Sequence, residues 1–364
     1  MYTLDSYDVA VVGLGVIGSA CLLELARRGW RVIGIEQSAA SRVVGSSAGD
    51  VRMLESPTPV SAARAAAEKV SRVLWGRLER EAGKSLIQQT GSVTLSSGGR
   101  RCPADAASSS GAEELARLIP WARIEEGMEI VHDPHASLVR AEPAVHAMRR
   151  LGSRRGAKLC FDSTASLRRS PGVGGQYALE VGGSRLSAGT VLLCLGPWMA
   201  AAAGDELRDG LRIERVATHS LSTASVTSMP GDSPYVCWLG AGYEFAVIPV
   251  AEGARSRFGR FGLGPAESVS MAMRPIAPAE LDVDLALLSR WAPDLAGIRQ
   301  EIKTVTSAYT HTLNGEFRLR RLASRVHALT ACSGRGFKFA PLLAQEVADI
   351  LEDCPDAPRL VETQ

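Results

Sequence analysis

Three glycines near the start of the chain have the spacing of a turn that binds phosphate. Gly13, Gly15 and Gly18 follow an apolar, β-branched run and precede an amphipathic segment, in the pattern G-x-G-x-x-G. Gly13 permits a tight turn, Gly15 lets backbone N–H groups approach a pyrophosphate, and Gly18 lets a helix pack closely on a strand. The next strand ends at Glu36, whose carboxylate can accept hydrogen bonds from ribose hydroxyls. Because strand, glycines, helix, strand and acid follow in this order within about thirty residues, the segment predicts dinucleotide binding.

A second glycine-rich turn lies near the end of the sequence. Residues 326–331 form an apolar run, Gly334 and Gly336 follow, and an apolar helical pattern covers residues 340–351. Strand, glycine-rich turn and helix in this order indicate another helix N-terminus that can face a phosphate or the edge of a ring. The first motif alone does not distinguish NAD from FAD, but its position near the start of the sequence favours FAD.

Charged residues near these turns could carry chemistry. Arg52 follows a loop rich in serine, glycine and alanine, and Glu55 lies three residues further on. Loops that follow a dinucleotide-binding unit often carry ligand contacts. Lys338 comes directly after the second glycine turn. The alternative for Arg52 is a surface salt bridge, and the alternative for Lys338 is a solvent-facing lysine at the start of a helix.

The elements that must position these residues alternate between helix and strand. A strand pair is predicted within residues 86–97, a polar loop at residues 98–111, and an antiparallel sheet from the short extended runs of residues 211–261. Helices are predicted at residues 61–81, 112–118, 141–155, 278–291 and 340–351.

The pattern predicts an α/β protein with two domains. One is a Rossmann-type FAD-binding domain that is discontinuous in sequence, and the other is an inserted α+β substrate domain built on an antiparallel sheet. The 364 residues, of which 46% are hydrophobic, suffice for both cores. The FAD-binding domain is assigned residues 1–85, 141–205 and 313–364, and the substrate domain residues 86–140 and 206–312.

Composition excludes several other classes of protein. A net charge of +2 does not indicate a nucleic-acid partner. The seven cysteines are scattered without a C-x-x-C pair, which argues against a disulfide framework or structural zinc and favours a cytoplasmic location. His132 and His135 lack a third ligand nearby, so no metal site is predicted. No apolar run approaches the ~20 residues that span a bilayer, and no signal peptide is predicted.

Several segments together resemble one family of flavoproteins. The segments are the glycine motif through Glu36, Gly45-Ser46 to Gly49-Asp50-Val51-Arg52, Gly196-Pro197-Trp198, Tyr309-Thr310 with Thr312, and residues 333–339. In this order they resemble the monomeric sarcosine oxidase family, a branch of the D-amino-acid-oxidase-like FAD-dependent oxidoreductases. The resemblance implies FAD, a substrate domain whose sheet covers the flavin, and oxidation of a C–N bond, usually in a secondary amine of a small amino acid.

The resemblance also implies roles for individual residues. Arg52 matches an arginine beside the flavin ring, and Lys338 matches a lysine that contacts the substrate carboxylate. The residues expected to bind the cofactor are Gly13, Gly15, Val16, Ile17, Gly18, Glu36, Gln37, Ser46, Arg52, Gly196, Trp198, Gly334, Gly336, Phe337 and Lys338. The residues expected to be catalytic are Arg52, Glu55, Arg257 and Lys338.

Five positions depart from the family pattern. Glu55 replaces a second arginine that helps to hold the carboxylate, so it neutralises this clamp or accepts a cationic group. Ser307 replaces the cysteine that attaches FAD, so non-covalent FAD is expected. An ungapped alignment places Arg257 at the oxygen-activating lysine, Phe261 at a histidine and Ala246 at a tyrosine. Arginine and lysine are not interchangeable, and the smaller alanine indicates a roomier, less polar cavity.

The leading hypothesis is therefore an FAD-dependent amine or amino-acid oxidoreductase. It would oxidise a secondary or cyclic amine other than sarcosine to an imine, with O2 as acceptor, in specialised metabolism. The alternatives are a flavoenzyme with non-oxidase chemistry and a decayed FAD-binding scaffold. The expected partner is a small amine or amino-acid-derived substrate, with no nucleic acid and no membrane, and the chain is expected to be a monomer or small homo-oligomer.

Overall fold

The computed structural model describes most of the chain. The predicted polar loop at residues 98–111 lies outside the described residues. The described residues are 5–57, 60–97, 112–171, 177–202, 210–221, 233–249, 256–295, 302–330, 333–354 and 360–363.

The described helices follow the predicted apolar periodicity. The helix predicted at residues 278–291 has these bounds, and the helix predicted at 61–81 is shifted by one residue. No helix in the described ranges has the length and apolar character needed to cross a bilayer. The helices are α1 (Val16–Arg27), α2 (Ala62–Ala82), α3 (Ala112–Leu118), α4 (Ala141–Arg154), α5 (Met199–Ala202), α6 (Val269–Ala272), α7 (Pro278–Trp291) and α8 (Gly336–Leu351).

The described strands form three sheets with parallel and antiparallel pairs. The strands are β1 (Asp5–Val12), β2 (Val32–Ile35), β3 (Val51–Met53), β4 (Ile87–Gln89), β5 (Ser92–Ser96), β6 (Glu129–Asp133), β7 (Ser137–Arg140), β8 (Lys158–Cys160), β9 (Ala165–Pro171), β10 (Tyr177–Val181), β11 (Ser184–Leu193), β12 (Leu211–Leu221), β13 (Tyr235–Gly240), β14 (Tyr243–Ile248), β15 (Ser256–Arg260), β16 (Pro265–Ala266), β17 (Lys303–Thr312), β18 (Phe317–Ala323), β19 (Val326–Thr330) and β20 (Val361–Thr363).

The first sheet has the order β20-β18-β19-β11-β1-β2-β8, with β10 and β9 added along β11. Strand β1 lies between β2 and β11 and runs parallel to both. Val9 and Val11 face the core beneath α1, α4 and α8, whereas Ala10 faces a second core with Leu179 of β10. Both faces of this sheet are therefore covered, as the continuous apolar run in β1 requires.

The second sheet has the order β16-β12-β15-β14-β13-β5-β6, with β17 paired to β12. Its pairs are antiparallel except for the pair of β5 with β13. Trp121, Trp238, Trp291 and Phe245 are buried against its outer face, beneath α7. This is the antiparallel sheet predicted from residues 211–261, extended by strands from elsewhere in the chain.

A small third sheet, β3-β7-β4, connects the two larger ones and contradicts one prediction. Strands β4 and β5 were predicted to pair with each other, but β4 pairs with β7 and β5 pairs with β6 and β13. The reason lies between them, where the N–H groups of Thr90 and Gly91 both donate to the carbonyl of Ala136. Gly91 has a φ of 74°. The chain therefore passes from one sheet to the next instead of reversing as a hairpin.

The start of α8 also differs from the prediction. The helix was predicted from residue 340, but it begins at Gly336, so Lys338 lies in its first turn. A proline is common in the first turn of a helix, so a start near Pro341 was compatible with the sequence. Here Pro341 lies inside the helix.

A buried ionic network fastens α7 to the second sheet. The carboxylate of Asp284 accepts hydrogen bonds from His219 Nε2 (2.9 Å) and Arg260 Nε (2.5 Å). His219 Nδ1 lies 2.8 Å from Thr304 Oγ1. Asp284 and His219 are both fully buried and Arg260 is partly exposed, so the loss of Asp284 would leave two polar groups without their shared partner.

We expect Asp284→Ala to lower the free energy of unfolding by about 3–5 kcal/mol, because it leaves the Arg260 cation without its buried partner. The control is Glu125→Ala, which removes a carboxylate at the surface. Glu125 pairs with Arg290, and Arg290 belongs to α7 as Asp284 does. Exposed pairs contribute about 0–1 kcal/mol. Urea denaturation of both variants measures the difference, and equal midpoints would contradict a structural role for this network.

Candidate functional site

Three segments that are distant in sequence meet at one cavity of about 670 Å³. Its walls include Gly13 and Gly15 from the turn between β1 and α1, Ser46 from the loop before β3, and Gly334 and Gly336 from the start of α8. The cavity runs along the carboxyl ends of parallel strands, where open α/β sheets bind their ligands.

The turn between β1 and α1 leaves no room for side chains. Gly13 has a φ of 90°, and a Cβ atom there would lie 2.6 Å from the carbonyl oxygen of Cys194. A Cβ atom on Gly18 would lie 1.8 Å from the carbonyl oxygen of Gly13. Gly18 therefore does not line the cavity but allows α1 to pack directly on the turn, so the helix N-terminus faces the cavity.

Glu36 lies at the end of β2 and lines the cavity. Its Oε2 accepts a hydrogen bond from the N–H of Leu14 at 2.8 Å, and its Oε1 accepts from the N–H and hydroxyl of Ser38, each at 3.0 Å. These bonds hold the carboxylate beside the glycine turn. Gln37 follows it in the same wall.

Ser47 is a site residue that sequence reasoning missed. Its Oγ accepts a hydrogen bond from the N–H of Val16, the first residue of α1, at 2.9 Å. The first N–H groups of a helix have no partner within the helix, and a serine hydroxyl can accept from one of them. A serine in the loop before β3 was therefore the feature of the sequence that could have identified this residue. Other predicted lining residues are present as well: Val16, Ile17, Gly196 and Trp198.

The first turn of α8 is supported by α2. Pro341 lacks the N–H that would bond to the carbonyl of Phe337, and a proline ring crowds the preceding turn. The next carbonyl, that of Lys338, accepts hydrogen bonds from Trp75 Nε1 at 2.8 Å and from Ser71 Oγ. Trp75 also stacks on Phe337, with ring centroids 5.8 Å apart.

Arg52 lines the cavity and lies over the ring of Phe337. Its guanidinium lies 5.7 Å from the centroid of that ring. It donates hydrogen bonds to the carbonyls of Val51 (2.8 Å), Ser46 (2.9 Å) and Ala48. Three carbonyls and one ring therefore fix the charge at the cavity wall.

Arg257 adds a second cation behind Arg52. It is buried and donates to the same Val51 carbonyl at 3.1 Å. Burial, together with the nearby Arg52, lowers the pKa of Arg257 to about 10. Arg257 does not line the cavity, so its charge acts on the cavity through Arg52 and the intervening backbone.

Lys338 points away from the cavity, towards α2. Its Nζ lies 2.9 Å from Ser56 Oγ and 3.4 Å from Glu68 Oε1. Ser56 in turn donates to Glu68 through its hydroxyl. Burial lowers the pKa of Lys338, and the carboxylates of Glu68 and Glu55 partly offset that shift. Sequence reasoning expected Glu55 as the acidic neighbour and missed Glu68, because Glu68 lies 270 residues away.

Glu55 lies in the same cluster of side chains. Its Oε2 accepts a hydrogen bond from the N–H of Ser137 at 2.7 Å. Its Oε1 is buried without a hydrogen-bond partner in the described structure, and Arg72 lies 3.6 Å away. Burial raises the pKa of Glu55 to about 7. The cluster therefore holds a carboxylate that titrates near neutral pH, and Glu55 itself does not line the cavity.

The remaining departures from the family pattern lie on the second sheet. Ser307, on β17, pairs with Val216 and does not line the cavity. Ala246 is buried in an apolar cluster with Tyr235 and Cys237, and Phe261 packs against that cluster.

The cavity, the glycine turn and the fixed arginine fit a flavin-dependent oxidoreductase. The chain belongs to the DAO family of FAD dependent oxidoreductases, whose family model matches residues 8–350. Its cofactor is accordingly FAD, and non-covalent binding is typical of this broad family.

Two related enzymes align with nearly the whole chain. Monomeric sarcosine oxidase from Streptomyces avermitilis is 27% identical, over 95% of this chain and 93% of the relative. N-methyl-L-tryptophan oxidase from Salmonella arizonae is 22% identical, over 96% of both chains. The open form of NikD, an unusual amino acid oxidase essential for nikkomycin biosynthesis, has a TM-score of 0.78 at 19% identity, covering 98% of this chain and 96% of that one.

The side chains of the cavity fit FAD. Thr310 Oγ1 is buried and has no hydrogen-bond partner in the described structure, although Thr310 lines the cavity. Buried hydroxyls are normally satisfied, so a bound group is expected there. The α1 N-terminus would hold the pyrophosphate, Glu36 the ribose, and the Gly334 turn with Phe337 the ring system.

Two glycines with positive φ test the site. Gly29→Ala meets nothing within 4 Å, so we expect only the backbone cost of about 1–2 kcal/mol for φ near 84°. Gly13→Ala adds a collision with the Cys194 carbonyl, which would shift the turn. We expect Gly13→Ala to lose most of its bound FAD, and Gly29→Ala to keep it. Flavin absorbance per protein after purification measures the outcome, and equal occupancy would contradict the assignment.

Proposed function

We propose that this protein is an FAD-dependent oxidase of a C–N bond in a secondary or cyclic amine other than sarcosine. When bound, FAD accepts a hydride equivalent from the carbon next to nitrogen. The resulting imine is open to hydrolysis, and O2 takes the electrons. The chain itself binds and orients the amine, excludes water and supplies fixed charge.

The observation that carries this proposal is the convergence on one cavity of the glycine turn, the Ser46 loop and the start of α8, with Arg52 fixed at its wall. A fixed cation beside the isoalloxazine would favour the anionic reduced ring, because preorganised charge stabilises charge that develops in the reaction. Arg257 would strengthen that field from behind.

The domain division proposed from the sequence fits this arrangement. A discontinuous Rossmann-type domain (residues 1–85, 141–205 and 313–364) would carry the cofactor, since β1, β2, β11 and β19 belong to one sheet. An inserted domain (residues 86–140 and 206–312) would cover the flavin, since β5, β6 and β12–β17 belong to the other. The scattered cysteines favour a cytoplasmic location.

The charges around Lys338 support a substrate different from sarcosine. A lysine that clamps a substrate carboxylate needs free donors, but here Ser56 and Glu68 engage the Nζ. Two carboxylates and two cations (Lys338 and Arg72) lie in the cluster, so its charge nearly cancels. Glu55 Oε1 would instead accept a hydrogen bond from an N–H or cationic group of the substrate. The apolar cluster around Ala246 would contact the rest of a bulkier substrate.

Matched pairs of amines test the reaction. We expect anaerobic bleaching of the flavin absorbance by piperidine and pyrrolidine analogues bearing a basic substituent. Their carboxylated counterparts and sarcosine should react at least about tenfold more slowly, which corresponds to about 1.4 kcal/mol of lost binding. Readmitting air should yield hydrogen peroxide if O2 is the acceptor.

Two outcomes would contradict the proposal. Equal bleaching by the carboxylated and uncarboxylated members would contradict the substrate assignment. Absence of bleaching by any amine would contradict the oxidase itself and favour the alternative of an FAD-binding scaffold.

The pKa of Glu55 predicts a pH dependence. Its protonated form dominates below about pH 7 and its carboxylate above, so a cationic group should bind more tightly as pH rises through 7. We expect kcat/KM to rise through this range and Glu55→Gln to remove that step with about a tenfold loss at pH 8. The control is Glu126→Gln at an exposed position. The substrate amine titrates in the same way with the wild type and with both variants. If Glu55→Gln keeps the wild-type dependence of kcat/KM on pH, Glu55 is not the group that binds the cationic part of the substrate.

A further inference from the structure

Helix α4 carries two charged residues that reach the loops of the cofactor cavity from behind. Glu142, in its first turn, accepts a hydrogen bond from the N–H of Gly49 at 2.7 Å. Arg149 lies seven residues further on, which places it on the same face of the helix. Both side chains contact backbone of loops that form the cavity wall, and neither lines the cavity.

Arg149 is almost fully buried, with 4% of its surface exposed. Its Nε donates to the carbonyl of Leu14 at 3.1 Å, and its Nη2 donates to the same oxygen. Its Nη1 donates to the carbonyl of Arg42 at 3.3 Å. The guanidinium lies 5.4 Å from the ring centroid of Phe161. Burial of a charge is costly unless the charge is hydrogen-bonded. The bonds to the carbonyls of Leu14 and Arg42 therefore offset the cost of burying this cation.

The Leu14 peptide is held from both sides. Leu14 lies between Gly13 and Gly15, so its orientation sets the direction of the N–H groups in the glycine turn. Its N–H donates to Glu36 Oε2, and its carbonyl accepts from Arg149 and from Ser19 Oγ at 2.8 Å. Arg149 therefore connects α4 to the turn and, through one residue, to Glu36.

The charge of Arg149 complements the ligand. Of the described residues that line the cavity, two carry formal charge: Glu36 and Arg52. Arg52 lies beside Phe337, at the far end from Glu36 in the proposed placement of FAD. Burial lowers the pKa of Arg149 and Glu36 opposes that shift. A guanidinium stays protonated, so Arg149 provides positive charge behind the turn that would receive a doubly charged pyrophosphate.

We propose that Arg149 is a positioning residue for the adenosine diphosphate half of FAD, acting through the Leu14 peptide and Glu36 without touching the cofactor. The inference rests on the FAD-dependent family and not on amine oxidation, so failure of one leaves the other intact.

Dilution of the holoenzyme tests this role, with the rise in flavin fluorescence as the measure of FAD release. Hydrogen bonds to charged groups contribute about 1.5–3 kcal/mol, so we expect Arg149→Met to weaken FAD binding about 10- to 100-fold. Arg149→Lys keeps the charge and loses the double donation to Leu14, so its loss should be intermediate. The control is Arg150→Met, which removes the neighbouring arginine that donates to the carbonyl of Ala82.

A second readout separates positioning from general destabilisation. Excess ADP should displace FAD from the wild type. Because Arg149→Met should weaken the binding of ADP and of FAD by the same factor, the ratio of ADP to FAD at half displacement should stay unchanged. The visible spectrum of the bound flavin should stay unchanged, because Arg149 bonds to the backbone at Leu14 and Arg42 and not to Arg52 or Phe337. FAD affinity within about twofold of the wild type in both Arg149 variants would overturn the proposal. An equal loss in Arg150→Met would overturn it too.

Discussion

The close contact between α1 and the turn that precedes it is the constraint on which the cavity depends. Gly18 lies against the carbonyl of Gly13, and Gly13 lies against the carbonyl of Cys194, with no space for a side chain at either contact. These contacts bring the N-terminus of α1 to the carboxyl ends of β1 and β11. Glu36, Ser47 and Arg149 then fix the turn by hydrogen bonds from three different elements. The glycines provide the space, and the polar side chains provide the orientation.

Charge differs between the wall of the cavity and the cluster around Lys338. Arg52 and Arg257 share the Val51 carbonyl and concentrate positive charge at one wall. The cluster around Lys338 is different, because Glu68 and Glu55 offset its cations. Membership of the FAD dependent oxidoreductase family fixes the cofactor, whereas this second cluster leaves Lys338 engaged by Ser56 and Glu68.

Whereas the FAD-dependent family was predicted from the resemblance of several segments, local spacing was sufficient to predict the α/β class, the glycine turn and the helix at residues 278–291. Such features depend on residues close in sequence. Lys338 could be identified as a candidate, but its engagement by Glu68 could not, because the two residues are 270 positions apart. Arg149 and Leu14 are 135 positions apart, and nothing in the pattern around an amphipathic helix distinguishes a buried arginine from an exposed one. The pairing of β4 and β5 was wrong because adjacent strands were assumed to pair, whereas a glycine sends them to different sheets.

The dependence of α8 on α2 has a consequence for the order of folding. Pro341 leaves the first turn of α8 short of internal hydrogen bonds, and the Lys338 carbonyl is satisfied by Ser71 and Trp75, more than 260 residues earlier in the chain. Contacts of large sequence separation form slowly, because the long loop between them must close first. The wall that carries Phe337 is therefore complete only after α2 and α8 have docked, so a nascent chain still lacking α8 has no finished place for the flavin ring.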